Sequence, residues 1–286
     1  MTEQSSLFDQ NSSNPDSKII RFQPDLGQWR QHAKQALAEK RHPDTIHWQG
    51  DHHAAKATSG RALSINVPKS YAEALNQAQW HSDPQRWDLF YRLLWRMQNG
   101  DSGLMQKRHD DQRQRLHRLV RQVNRDLHKM KAFLRFEPIE QNHEEHFYAW
   151  FEPDHLILKP SAHFFRRRFS NMHWTIQTPE GIARWAPGDA LRFSGPQPKL
   201  HTDEDPTQNL WHRYYQSTFN PARLKVGAML NEMPKKYWRN MPETQHIAQM
   251  IQSSTQRTGE MLEKRKEHEQ LNCGQRPTYS NRSTKN

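Results

Sequence analysis

The sequence predicts an α+β protein in which helices flank a small antiparallel sheet or meander. Three observations carry this reading. Apolar residues recur at helical spacing up to about residue 132. A period of two then dominates to residue 185, and helical spacing returns after residue 206. Runs of helices around a run of strands are the α+β pattern, and no strand–helix–strand alternation points to a doubly wound parallel sheet.

Residues 1–17 are rich in Ser, Asn, Gln and Asp and are expected to be disordered. Ile19 to Phe22 reads as a short strand. Asp25 to Glu39 reads as a helix, with Asp25 as N-cap and Leu26, Trp29, Ala33, Ala36 and Leu37 on one face. Residues 49–63 form a loose connection. Tyr71 to Ala78 is helical. Asp83-Pro84 opens a helix carrying Trp87, Phe90, Tyr91, Leu94 and Trp95, and Asn99-Gly100-Asp101 closes it.

Arg113 to Phe136 is the most informative stretch. Leu116, Val120, Val123, Leu127 and Met130 share one helix face at about 100° per residue. Arg118, Arg121, Arg125 and His128 fall on the opposite side. Residues 107–135 hold ten Lys or Arg against three Asp, an excess of seven in a chain of net charge +11. Cations crowded on one face repel each other, so an anionic partner is expected, with DNA or RNA first. A solvated helix face and a protein-docking face are the competing readings.

Phe133 to Ile139 and His146 to Phe151 read as strands around a polar turn, and Leu156 to Leu158 as a third. Ser161 to Asn171 reads as a short helix. Trp174 to Thr178 and Ile182 to Trp185 flank Pro179-Glu180-Gly181, a hairpin signature with a turn-forming Gly. Residues 186–206 form a Pro- and Gly-rich loop. Helices are expected at 206–219, from Asn220-Pro221 to about Glu232, and at 245–270, with Pro234 as a stop or kink. The expected organisation is a disordered 1–17, one domain at 18–245, and a charged helix and tail at 246–286.

Of 286 residues only 33% are hydrophobic, yet 10 Trp, 12 Phe and 7 Tyr promise an aromatic core. Cys273 is the only cysteine, which excludes internal disulfides, Cys-rich zinc sites and iron–sulfur ligation by one chain. The start lacks a signal peptide, and no run approaches the roughly 20 apolar residues of a membrane span, so a cytoplasmic location is expected. There is no P-loop, GxGxxG, GxSxG or HExxH motif, and no cofactor is expected.

Two further basic clusters stand out. Arg166, Arg167 and Arg168 lie between Phe164-Phe165 and Phe169, where rings would anchor the segment while guanidiniums grip phosphate. Arg223, Lys225, Lys235, Lys236 and Arg239 form the other, and Tyr237-Trp238 interleave it in the manner of single-strand binders. With Lys129 and Arg135, these complete the nucleic-acid-binding candidates. Catalytic candidates are His128, whose neighbouring arginines would depress its pKa, and Glu152 and His155 at a strand end. His143 and His146 could hold a metal but fall in the polar turn, so no metal site is expected.

The chain resembles an uncharacterised bacterial family assigned to DNA metabolism or DNA repair. The resemblance rests on WRQHA (29–33), LFYRLLWR (89–96), HKMKAFLRF (128–136), YAWFEPDH (148–155), FFRRRF (164–169), MHWTIQTP (172–179), and LWHRYY, NPARLKV and MPKKYWRNMP across 210–242. In that family the domain occurs alone or ahead of an iron–sulfur uracil-DNA glycosylase domain, and stand-alone genes tend to lie beside one for a radical-SAM protein. The resemblance implies a DNA-binding accessory role with a glycosylase or radical-SAM partner. The glycosylase part has no counterpart here. The alternatives are a nucleic-acid-processing enzyme using His128 and Glu152, and a protein-interaction scaffold.

Overall fold

A computed structural model of the chain describes residues 17–55, 65–141, 144–200 and 233–241. The α+β class holds, with five helices and two small sheets among the described residues. The expected helices at 206–219, 220–232 and 245–270 lie outside them, as do Arg223, Lys225, His143 and all but the last of residues 1–17.

The first sheet pairs β1 (Lys18–Phe22) with β2 (Ile46–Gly50) in parallel across helix α1 (Leu26–Ala38). Asp25 caps α1 as expected, its carboxylate accepting from the amides of Gly27 and Gln28. The strand β2 falls before and into the expected loose connection. Its inward residues, Ile46 and Trp48, are only two, too short an alternation to register. Helix α3 (Arg86–Gln98) packs on β2, and α2 (Lys69–Ala78) adds Tyr71, Leu75 and Ala78 to the same core. Gly100, at φ 103°, takes the left-handed conformation that ends α3. Trp29 and Trp87, each 1% exposed, form the centre of the first core with Phe22, Trp48, Phe90 and Tyr91. Each such fully buried apolar side chain contributes about 1.5–3 kcal/mol.

Helix α4 (Asp111–Phe133) is the spine of the molecule, about 35 Å long at 1.5 Å per residue. Leu116 and Leu119 belong to the first core, Val123 and Met130 to the second. The buried stripe is rotated from the expected one by roughly 50°. It takes in Leu119, Asp126 and Lys129, while Val120 and Leu127 are only half-buried.

The second sheet runs in the order β3 (Glu137–Gln141), β4 (Glu144–Trp150), β5 (Trp174–Thr178), β6 (Gly181–Trp185), β7 (Arg192–Ser194). Strand order follows the chain, as in a meander, and three of the four pairings are antiparallel. The exception is β4 with β5, which is parallel and joined through helix α5 (Leu158–Arg168). Two strand–helix–strand units are therefore present, β1–α1–β2 and β4–α5–β5, where the sequence showed none.

Three local expectations change. The apolar run at 156–158 is no strand: Leu158 opens α5, which tolerates Pro160 because first-turn amides need no helical acceptor. Strand β7 emerges from the expected loop. Its three residues are all exposed, so no alternation marked it. Gly181 is needed for proximity rather than for turn conformation, since a Cβ there would sit 2.7 Å from the Ser194 carbonyl oxygen on β7. Pro138 sits in the edge strand β3, where a missing amide is tolerated.

Candidate nucleic-acid interface

The arginine row of α4 forms as its spacing requires. Arg118, Arg121 and Arg125 are exposed, and His128 follows on the same side. Arg118 and Arg121 make no hydrogen bond or ion pair among the described residues. Lys129 leaves the set: it is 4% exposed, with Nζ 5.6 Å from the Phe133 ring centre, and cannot meet an external anion. Arg135 is half-buried and donates to the Ala132 and Leu134 carbonyls, so it serves the C-terminus of α4.

The second cluster stands at the end of α5. Phe165 is in the second core, while Phe164 and Phe169 are half-buried, so the rings anchor the segment. Arg167 is exposed. The Arg166 guanidinium lies 5.6 Å from the Trp185 ring centre, and that of Arg168 5.5 Å from Phe169. Lys131 of α4 sits 4.9 Å from the Phe164 ring, which brings the basic groups of the two helices side by side.

In the third cluster the chain turns through a 3₁₀ segment at Lys235–Asn240. Lys235 is exposed, and Lys236 pairs with Asp154. Burial works against the Lys236 charge, but hydrogen bonds to Asp154 and Tyr237 prevail and raise its pKa. Tyr237 is not free to stack on a base. It is 4% exposed and packed between Phe151 at 5.1 Å and Phe133 at 5.6 Å. The Trp238 indole donates to the Met233 carbonyl.

Of the catalytic candidates, His128 and His155 are not brought together. His128 is exposed on α4, about 200° round the helix from Asp126. Glu152 is exposed and accepts from the Trp150 indole at 2.9 Å. His155 is buried on the Asp126 side, so α4 points His128 away from it.

Spacing gave no hint of the buried polar junction around Asp126. One carboxylate oxygen accepts from the amides of Asp154 and His155, both at 2.9 Å, and the Tyr237 hydroxyl donates to the other at 3.4 Å. Burial raises the Asp126 pKa above its ordinary value. The rings of His155 and His81 lie 4.1 Å apart. The Asp83 amide donates to His81 Nδ1, so Nε2 carries the hydrogen and donates to Gln122 at 3.1 Å. The Ser82 hydroxyl lies 3.0 Å from His155 Nδ1. Burial lowers both imidazole pKa values, and for His81 the neighbouring His155 adds to it.

Among the described residues no group of three or more His, Cys, Asp or Glu could hold a metal ion, and no helix is long and apolar enough to cross a membrane. No curated protein and no solved structure matches the chain. Residues 84–243 match DUF4130, a domain of unknown function, from the turn before α3 to just past the 3₁₀ segment. That match spans more than half of the chain, and the protein therefore belongs to the DUF4130 family.

Proposed function

We propose that this protein is a DNA-binding accessory factor in DNA repair or DNA metabolism, acting in the cytoplasm beside a glycosylase or radical-SAM partner. The observation that carries the DNA-binding reading is the pair Arg118 and Arg121, exposed and without ion pairs among the described residues, on a helix whose other face is buried. Guanidiniums held this way are open to phosphate. Arg125 and Arg166 to Arg168 extend the basic surface. The burial of Phe165 and Tyr237 favours phosphate contact over base stacking, hence binding that is indifferent to sequence. The repair context rests on the family resemblance.

Salt-dependent binding to short duplex, single-stranded and uracil-containing DNA tests the reading. Each phosphate contact contributes a slope of about −0.9 in log affinity against log salt on duplex DNA. The Arg118→Gln/Arg121→Gln double variant should therefore flatten the slope by about two and weaken all sequences alike. A flat salt response in the parent chain overturns the reading. Capture of an acidic protein partner with no DNA affinity would put a scaffold in its place.

A further inference from the structure

Helices α3 and α4 enclose a groove of about 700 Å³. It is lined by Gln85 at the cap of α3, Asp88 and Arg92 on α3, Asp111, Arg115 and Arg118 on α4, and His47 of β2. The two helical sets are single stripes, at steps of three or four residues. The helices are antiparallel, because Arg115 reaches back to Gln85 while Arg96 bonds Asp110 and Gln112. Arg115 and Arg118 thus lie toward one end, and Arg92 and Asp111 toward the other.

The charges within the groove are sorted. Arg115 is held by Asp83 and Gln85, and Arg92 by Asp44, so both are pre-positioned rather than loose. Arg118 has no such partner among the described residues and continues directly into the α4 row at Arg121. Arg118 is thus the lining arginine whose guanidinium is open to a ligand, with Asp88 and Asp111 lining the same groove. Asp111 adds an exposed carboxylate to the lining, which can accept from a ligand that brings hydrogen-bond donors. A guanidinium such as Arg92 gives a flat ring a surface to stack on. The volume lies in the range of small-molecule sites.

We propose that this groove binds a nucleoside 5′-phosphate, its phosphate at Arg115 and Arg118 and its base and sugar toward Asp88, Arg92 and Asp111. The ligand would be either a free nucleotide or the 5′-terminal nucleotide of a strand lying along α4. The second source rests on the DNA-binding reading above, and the first does not.

Calorimetric titration of the full chain with adenosine 5′-monophosphate, adenosine and inorganic phosphate tests the site. Paired duplexes with 5′-phosphate or 5′-hydroxyl ends test the source. Adenosine 5′-monophosphate should bind more tightly than either fragment. Arg118→Glu should weaken it at least roughly tenfold, the scale of one lost charged hydrogen bond, whereas Lys159→Glu, at an exposed lysine of α5 outside the groove, should leave it within about twofold. Arg118 is exposed and makes no ion pair among the described residues, so its replacement does not threaten the fold. A 5′-phosphate advantage on DNA, lost in Arg118→Glu, assigns the strand end. Nucleotide binding without that advantage assigns the free nucleotide. The proposal is overturned if neither the nucleotide nor the 5′-phosphate registers, if inorganic phosphate binds as well as the nucleotide, or if the two variants behave alike. Nucleotide binding by a protein with no affinity for duplex DNA would sink the DNA-binding reading and leave this one standing.

Discussion

Asp126→Ala is the sharpest probe of how the molecule is assembled. The carboxylate is 4% exposed and gives one oxygen to two backbone amides at 2.9 Å. Alanine leaves the buried His155 amide and the part-buried Asp154 amide without their acceptor, at up to about 1–3 kcal/mol each. The Tyr237 hydroxyl at 3.4 Å is the weaker third contact. The expected loss is therefore about 2–5 kcal/mol, or several degrees at about 2–4 °C per kcal/mol in a domain of this size. Asp126→Asn keeps an oxygen where the two amides need it and turns its NH2 toward the Tyr237 oxygen. It also removes a carboxylate whose charged form burial disfavours. That variant should stay within about 1 kcal/mol of the parent. Urea denaturation followed by tryptophan fluorescence measures both changes, read as midpoint shifts at constant slope. Equal losses from Ala and Asn would refute the reasoning, because charge and not acceptor geometry would then hold the junction. So would an Ala loss below about 1 kcal/mol.

Three further outcomes are expected. Burial depresses the pKa of His81 and His155 below 6.5, so the unfolded chain takes up protons first as pH falls. Stability should then be full above about pH 6.5 and decline as pH falls toward the lowered folded values, and His81→Gln/His155→Gln should flatten that limb of a melting-temperature profile. Gly181→Ala places a methyl 2.7 Å from the Ser194 carbonyl oxygen and should cost about 1–3 kcal/mol, with faster amide exchange across Arg192–Ser194; unchanged exchange there would contradict the close approach. Lys129→Met should leave DNA affinity within about twofold, against a loss of about tenfold in Arg118→Gln/Arg121→Gln at physiological salt; a comparable drop would mean that Lys129 reaches the ligand after all.

What could be read from the sequence depended on how much each element repeats itself. Helix α1 announces itself twice, by the Asp25 cap and by a stripe of four buried residues. Strand β2 offers two inward residues and β7 none, so pattern had little to grip. Strand direction is not written in either partner, and β4–β5 looked antiparallel by default. On α4 the arginine row was legible, but the boundary between exposed and buried was not. That boundary depends on which elements pack against the helix, and a rotation of roughly 50° was enough to bury Lys129. The Asp126 junction lay furthest out of reach. Ser82 and His155 are 73 residues apart, and Tyr237 lies 111 from Asp126, so only the folded chain brings them together.

Because α4 serves two cores, the family's boundary and the folding boundary do not coincide. The match opens at residue 84, yet Trp87, Phe90 and Tyr91 just beyond it are packed against Phe22, Trp29 and Trp48 from before it. A fragment cut at that point would carry half of an aromatic interior turned outward along the first turns of α3. In this chain the stretch before residue 84 is therefore a structural necessity rather than an appendage.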